Sequence, residues 1–165
     1  MIIAQKFCFG VFLQYLNTRL HYTLPVDRRG RETMVIHGSG HSEGKSWDEK
    51  PISEQGGTKL AVARVVNQFQ GTIEGQGTLE YLLAYNADGT CTYIGMEHVI
   101  GKIGDRAGSF ILEHKGVWTS NTAHTTWAVV TGSGTGDLVG LRGQGGFAAT
   151  SQDKLVPYTF DYELA

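Results

Sequence analysis

Three short stretches of this chain place a titratable or indole side chain on an otherwise apolar alternating face. In Tyr93-Ile94-Gly95-Met96-Glu97-His98-Val99, the face shared by Tyr93, Gly95, Glu97 and Val99 carries a carboxylate. In Phe110-Ile111-Leu112-Glu113-His114, the face of Phe110 and Leu112 ends on an imidazole. In Thr125-Thr126-Trp127-Ala128-Val129, Trp127 shares a face with Val129. If these are inner faces of one sheet, Glu97, His114 and Trp127 project into a common interior. A carboxyl stripped of water can donate or accept a proton near neutral pH, which makes Glu97 and His114 the candidate catalytic pair. The competing reading is a structural Glu–His hydrogen bond that fills the interior and does no chemistry. Tyr93, Phe110 and Trp127 would line an apolar ligand site. Glu80 is a further candidate contact, on a stretch (79–85) whose two faces are both partly apolar. Trp47 could close a mouth over the site, and Arg142, near a glycine-rich turn, could meet a carboxylate.

Other chemistries fail on spacing. Val35 to Ser46 contains Gly44-Lys45-Ser46, the end of a phosphate-binding loop, but the position that needs the first glycine is Ser39 and no helical run follows. His37 and His41 share a face, while His98, His114 and His124 are spread over other segments without any His/Cys ligand spacing, so no metal is expected. Ser109 and Ser133 follow ordinary turn glycines and do not read as the serine of a nucleophile elbow. Cys8 and Cys91 match no redox or metal spacing, which fits a reduced, cytoplasmic protein. No cofactor is implied.

The elements that must position these residues are strands. Glycine makes up 23 of 165 residues without a collagen period, and these glycines stand between short apolar runs. From Met34 onward the apolar period is two, and eight strand candidates emerge: 34–42, 60–70, 72–85, 91–103, 109–118, 122–130, 141–150 and 156–164. Turn signals separate them at Asn86 to Gly89, Gly104 to Gly108, Ser120-Asn121 and Gly132 to Gly136. Gly75 and Gly77 predict a bulge or sharp bend in the third candidate. Residues 43–58 are polar and contain Pro51 and Gly56-Gly57, which predicts a long loop over one mouth. The pattern predicts an all-β domain, a closed eight-stranded antiparallel barrel about wide enough for one small ligand.

Residues 1–33 hold Lys6, Arg19, Arg28, Arg29 and Arg31 against Asp27 and Glu32, so the remainder carries the acidic excess behind the net charge of −2. An acidic body offers no counterion-releasing surface, and no nucleic-acid partner is expected. Met1 to Leu16 is apolar but interrupted by Gln5, Lys6 and Gln14, and shorter than the roughly 20 residues that span a bilayer. No membrane partner is expected. Residues 1–33 are expected to form an extension outside the barrel domain of 34–165, disordered or arising from an upstream start site.

The chain also resembles a bacterial family, domain of unknown function 3224, with an allene-oxide-cyclase-like barrel. The resemblance rests on Ser46-Trp47-Asp48-Glu49-Lys50-Pro51, Gly57-Thr58-Lys59-Leu60, Glu74-Gly75-Gln76-Gly77 and Glu80 to Tyr85. It continues through Asp88-Gly89-Thr90, Gly108-Ser109-Phe110, Gly132 to Leu138, Gly140-Leu141-Arg142-Gly143 and Tyr158 to Tyr162. It implies the barrel fold over about 34–164. It does not imply cyclase chemistry, because no residue-by-residue match to a cyclase active site is present. The functional expectation is a small-ligand barrel, of the isomerase or cyclase kind, acting on an apolar, lipid-like molecule. The rival is a non-catalytic binding or interaction protein with a packed core, and a homo-oligomer is compatible with either. A lipocalin-type carrier lacks its Gly-x-Trp opening, since Gly44 and Trp47 are one residue too far apart.

Overall fold

The computed structural model describes residues 34–164; the expected extension at 1–33 lies outside the described residues. Eight strands follow one another: β1 (Ile36–Gln55), β2 (Thr58–Gly71), β3 (Ile73–Tyr85), β4 (Cys91–Ile103), β5 (Arg106–Thr119), β6 (Thr122–Val129), β7 (Arg142–Thr150) and β8 (Val156–Glu163). Each pairs antiparallel with the next, and β8 returns to Ile36–Ser42 of β1, so the sheet closes into a barrel. The expected fold class is therefore found. The period of two accounts for it: in β4, Cys91, Tyr93, Glu97, Val99 and Ile103 are buried while Thr92, Ile94, Met96, His98, Ile100 and Lys102 are exposed. Tight turns keep the meander in register. Gln55 pairs with Thr58 across Gly56 and Gly57, whose φ values of 60° and 81° suit a two-residue hairpin. Ser120 and Asn121 take the same role at φ 49° and 60°.

Two expectations about this frame are corrected. Residues 43–58 are not a loop. They are the distal part of the 20-residue β1 and its turn, pairing with β2 from Gln55↔Thr58 to Gly44↔Asn67. Beyond Ser42, β1 has β2 as its neighbour and no longer pairs with β8, so this stretch is an edge exposed on most sides. A strand solvated on both faces shows no apolar alternation, which is why its composition reads as a loop. Pro51 fits such an edge, where a missing N–H need not break a ladder. Register shifts at Gly44/Ser46 and Pro51/Ser53 bend the hairpin there. The bulge expected at Gly75 and Gly77 is absent: β3 runs in unbroken register against both neighbours. Those glycines are instead inward positions where neighbouring groups fill the space a side chain would take.

The interior divides into two apolar clusters. One, around Phe69, Ile73, Val99, Phe110, Leu112 and Phe160, fills one end of the barrel. The β6–β7 connection carries the short 3-10 turn Gly136–Leu138, which drives fully buried Leu138 and nearby Leu141 into this cluster as a stopper. The other cluster, Ala61, Ala63, Val65, Leu79, Tyr81, Leu83, Cys91 and Tyr93, lies toward the opposite end and uses small residues on β2. That end is left roomy.

The stopper should matter for stability. Leu138→Ala removes a fully buried side chain, and a cost of about 2–5 kcal/mol is expected. Urea denaturation of the variant against the wild type measures it.

Candidate functional site

The inner surface of the barrel follows a lattice in which residues paired across neighbouring strands form rows. One row runs Tyr81 (β3), Gly95 (β4), His114 (β5), Trp127 (β6) and Gly145 (β7). Gly95 leaves a gap between its neighbours, and across it the Tyr81 hydroxyl comes 3.3 Å from His114 Nδ1. A Cβ on Gly95 would strike the Tyr81 ring. The same device recurs one row toward the roomy end, where Tyr93 lies over Gly116 and its hydroxyl bonds Thr125 Oγ1 at 2.8 Å. A third gap is Gly77. It pairs with Asn67 of β2, and over it Asn67 Nδ2 donates to Glu97 Oε1 at 2.7 Å. Glycine at three inward positions thus lets polar side chains on flanking strands meet.

Glu97 and His114 are diagonal neighbours, since Glu97 pairs with Leu112. Both point inward and are fully buried, at 0% and 1% exposure. His114 Nε2 lies 2.9 Å from Glu97 Oε2. The ring N–H is not directed along that line, so Oε2 and Nε2 complete no hydrogen bond within the protein, and neither does the buried Trp127 Nε1. The proximity is a close contact of a carboxyl and an imidazole and not an aligned bond. Burial first, and then the negative charge of Glu97, push the Tyr81 phenol well above its ordinary range. Burial likewise raises Tyr93, against a lowering contribution from its bond to Thr125. Both are neutral hydroxyls at physiological pH. In the tautomer where Tyr81 donates to Nδ1, a neutral imidazole carries its one proton on Nε2.

Two chambers open around these groups. The deeper, of about 590 Å³, is lined by Glu97, His114, Asn67, Trp127, Phe69 and Tyr81 among others, with Thr150, Ser151 and Asp153 along one side. The second, of about 330 Å³, lies at the roomy end and is almost wholly apolar, with Tyr85, Cys91, Tyr93 and Trp118 in its wall. Trp47, Tyr81 and Phe147 belong to both. Aromatic rings meet edge to face through this region: Tyr81 on Tyr93 at 5.1 Å and His114 on Trp127 at 5.3 Å.

The expected site residues therefore separate. Glu97, His114 and Trp127 converge on the deeper chamber, Tyr93 lines the upper one, and half-exposed Trp47 reaches both from the bent β1 hairpin. Glu80 is not an interior residue: it lies on the outer face, 3.5 Å from Arg64. Leu79 and Tyr81 take the inward positions on either side of it; the outer face carries apolar Val62, Leu82 and Ile94, which blurs the alternation there. Arg142 is also outside, because its neighbour Gly143 is the residue that abuts the Phe160 ring. Phe110 is inward but stacks on Phe160 in the stoppered end, away from both chambers. Residue patterning passed over Tyr81, Asn67 and Glu49. The inward glycines 77, 95 and 116 were the available signal, but they carry meaning only once register aligns them with their bridging partners.

Glu49 holds the hairpin over the mouth. It accepts bonds from Trp47 Nε1 at 3.2 Å, Lys59 Nζ at 2.8 Å and Tyr85 Oη at 2.9 Å, tying β1 to β2 and β3. Burial pushes its carboxyl up, but the bonds from Lys59, Tyr85 and Trp47 outweigh this and hold it below its ordinary value. Burial and then Glu49 raise the Tyr85 phenol, and burial followed by the Glu49 charge raises the Cys91 thiol. Among the described residues no three His, Cys, Asp or Glu side chains gather in a way that could hold a metal ion.

A family model described as a protein of unknown function, DUF3224, matches residues 37–162. The chain is also similar to the crystal structure of a DUF3224-family protein from Shewanella oneidensis MR-1, with 27% identity and a TM-score of 0.63. That similarity covers 81% of this chain and 99% of the other. Comparison with curated proteins finds no match.

The glycine gaps are testable. Gly77→Ala places a methyl group against the Glu97 carboxyl and the Phe69 ring, forcing Glu97 off Asn67. Chemical denaturation should show a loss of about 1–3 kcal/mol. Gly44→Ala, whose methyl group meets nothing nearer than Asn67 Oδ1 at 4.0 Å, should be near neutral.

The Glu49 clasp predicts a pH dependence. A carboxyl held below its unfolded value of 4.5 contributes stability that is present above that value and lost as pH falls through the folded one. Between about pH 6 and about pH 3 the wild-type melting temperature should fall more steeply than that of Glu49→Gln.

Proposed function

The chain belongs to the DUF3224 family, and from that membership, which brings no activity with it, we propose that the barrel is a small-molecule-binding protein whose ligand is predominantly apolar. The observation that carries this reading is the pairing of two chambers through Trp47, Tyr81 and Phe147. One has an aromatic wall and the other a fully buried Glu97–His114 floor. Their volumes, about 330 and 590 Å³, are those of ligand sites, and small-molecule sites combine a mostly apolar wall with a few convergent polar groups. The body of the ligand lies against Trp47, Tyr93 and Trp118, and its polar end reaches Glu97 on the floor of the deeper chamber.

Glu97 and His114 also form an acid–base couple against the bound molecule. Such a couple suits an isomerisation, in which a proton leaves one atom of the ligand and returns to another, so that nothing else is consumed. The Tyr81 hydroxyl, still protonated at neutral pH, orients the imidazole and is itself on the chamber wall.

Titration of the full chain with N-phenyl-1-naphthylamine, a neutral apolar fluorophore, should give saturable binding. Trp127→Ala should weaken it by at least about 1 kcal/mol, roughly fivefold, because aromatic walls dominate such sites. A folded protein that binds neither this probe nor other neutral apolar probes would favour the packed-barrel reading.

A further inference from the structure

We infer that the polar end of the ligand is a cation, a protonated amine attached to an aromatic or aliphatic body. The inference rests on the cavity-binding reading and concerns the charge of what enters. Among the described residues, no lysine or arginine lines either chamber. The charged groups that do are Glu97 on the floor of the deeper chamber and Asp153 at its rim. Arg142 lies outside the barrel, and Lys59, near the mouth, is held by Glu49 at 2.8 Å. A ligand carboxylate would therefore be buried beside Glu97 without a counter-charge, which is among the costliest arrangements in a protein interior.

Glu97 has capacity for a donor. Oε1 takes the Asn67 amide, but Oε2 completes no hydrogen bond within the protein. An ionised carboxylate accepts at about four lone-pair positions. The chamber it faces is lined also by the rings of Trp47, Phe69, Tyr81, Trp127 and Phe147. Ring faces attract cations, most strongly where water is excluded. The molecule already contains this recognition unit once: at the mouth, the Lys59 ammonium is 2.8 Å from the Glu49 carboxylate and 4.1 Å from the centroid of the Tyr85 ring. The deeper chamber repeats the carboxylate and the aromatic faces without an ammonium of its own among the described residues. His114 Nε2 lies 2.9 Å from this carboxylate but completes no hydrogen bond to it.

The test uses three probes with one naphthyl ring on a two-carbon tether, ending in a primary amine, a hydroxyl or a carboxylate. Each is titrated calorimetrically into the full chain near neutral pH. The amine should bind at least about tenfold more tightly than the carboxylate, with the hydroxyl between them. Glu97→Gln should abolish the advantage of amine over hydroxyl. Carboxylate binding equal to or tighter than that of the amine would overturn the inference, as would a preference for amine that survives in folded Glu97→Gln. Should that variant not fold, the wild-type ranking decides the matter. Saturable binding of the hydroxyl or carboxylate probe without the amine overturns the cationic ligand and leaves the cavity reading standing. Binding of none of the three overturns both.

Discussion

A carboxylate with no solvent exposure sits at the centre of this barrel, and much of the interior is arranged around the need to satisfy it. Glu97 meets an amide from β2 and an imidazole from β5, and a side chain at Gly77 would collide with its carboxyl. Gly77 keeps open the space through which Asn67 arrives, and Gly95 lets Tyr81 pass over β4 to orient His114. Removing any one partner of a buried polar group leaves the others without compensation, so the members of such a group hold their positions together. The glycines are thus part of the polar network although they contribute no polar atom from a side chain.

The same gaps have a second consequence. A small barrel is ordinarily filled by its own side chains. Here Glu97, Tyr81 and Tyr93 lie over glycine at 77, 95 and 116, and β2 contributes the small Ala61 and Ala63. Tyrosines lean across the gaps and turn what would be voids into walls with a hydroxyl at the tip. The interior is consequently graded along its length: a stoppered end packed by Phe110, Phe160, Leu138 and Leu141, a polar middle at Glu97 and His114, and an aromatic open end.

The open end is controlled by the extension of β1 beyond the closed wall. Paired with β2 alone after Ser42, the hairpin bends at its register shifts and brings Trp47 to the chambers and Glu49 to Lys59 and Tyr85. The carboxylate at the mouth and the carboxylate within share a design of oxygen acceptors beside aromatic faces, but the outer one is satisfied by the protein's own lysine. The inner one is left facing a cavity.

The amino-acid sequence by itself determined the architecture. The period of two from Met34 onward, with turn residues between runs, sufficed for eight strands and closure. Glu97, His114 and Trp127 were legible because each is a polar-tipped side chain on a clean alternating face. Two kinds of information were not legible. Where a strand is solvated on both faces, as in the distal part of β1, or apolar on both, as around Glu80, alternation vanishes and the element or its facing is misread. The larger gap concerns partners. Glu97 meets Asn67 thirty residues away, and Tyr81 meets His114 thirty-three away, over glycines that have no pattern of their own. Only the tertiary structure decided which glycine lies between which two side chains, because strand register is a property of paired backbones and not of any one segment.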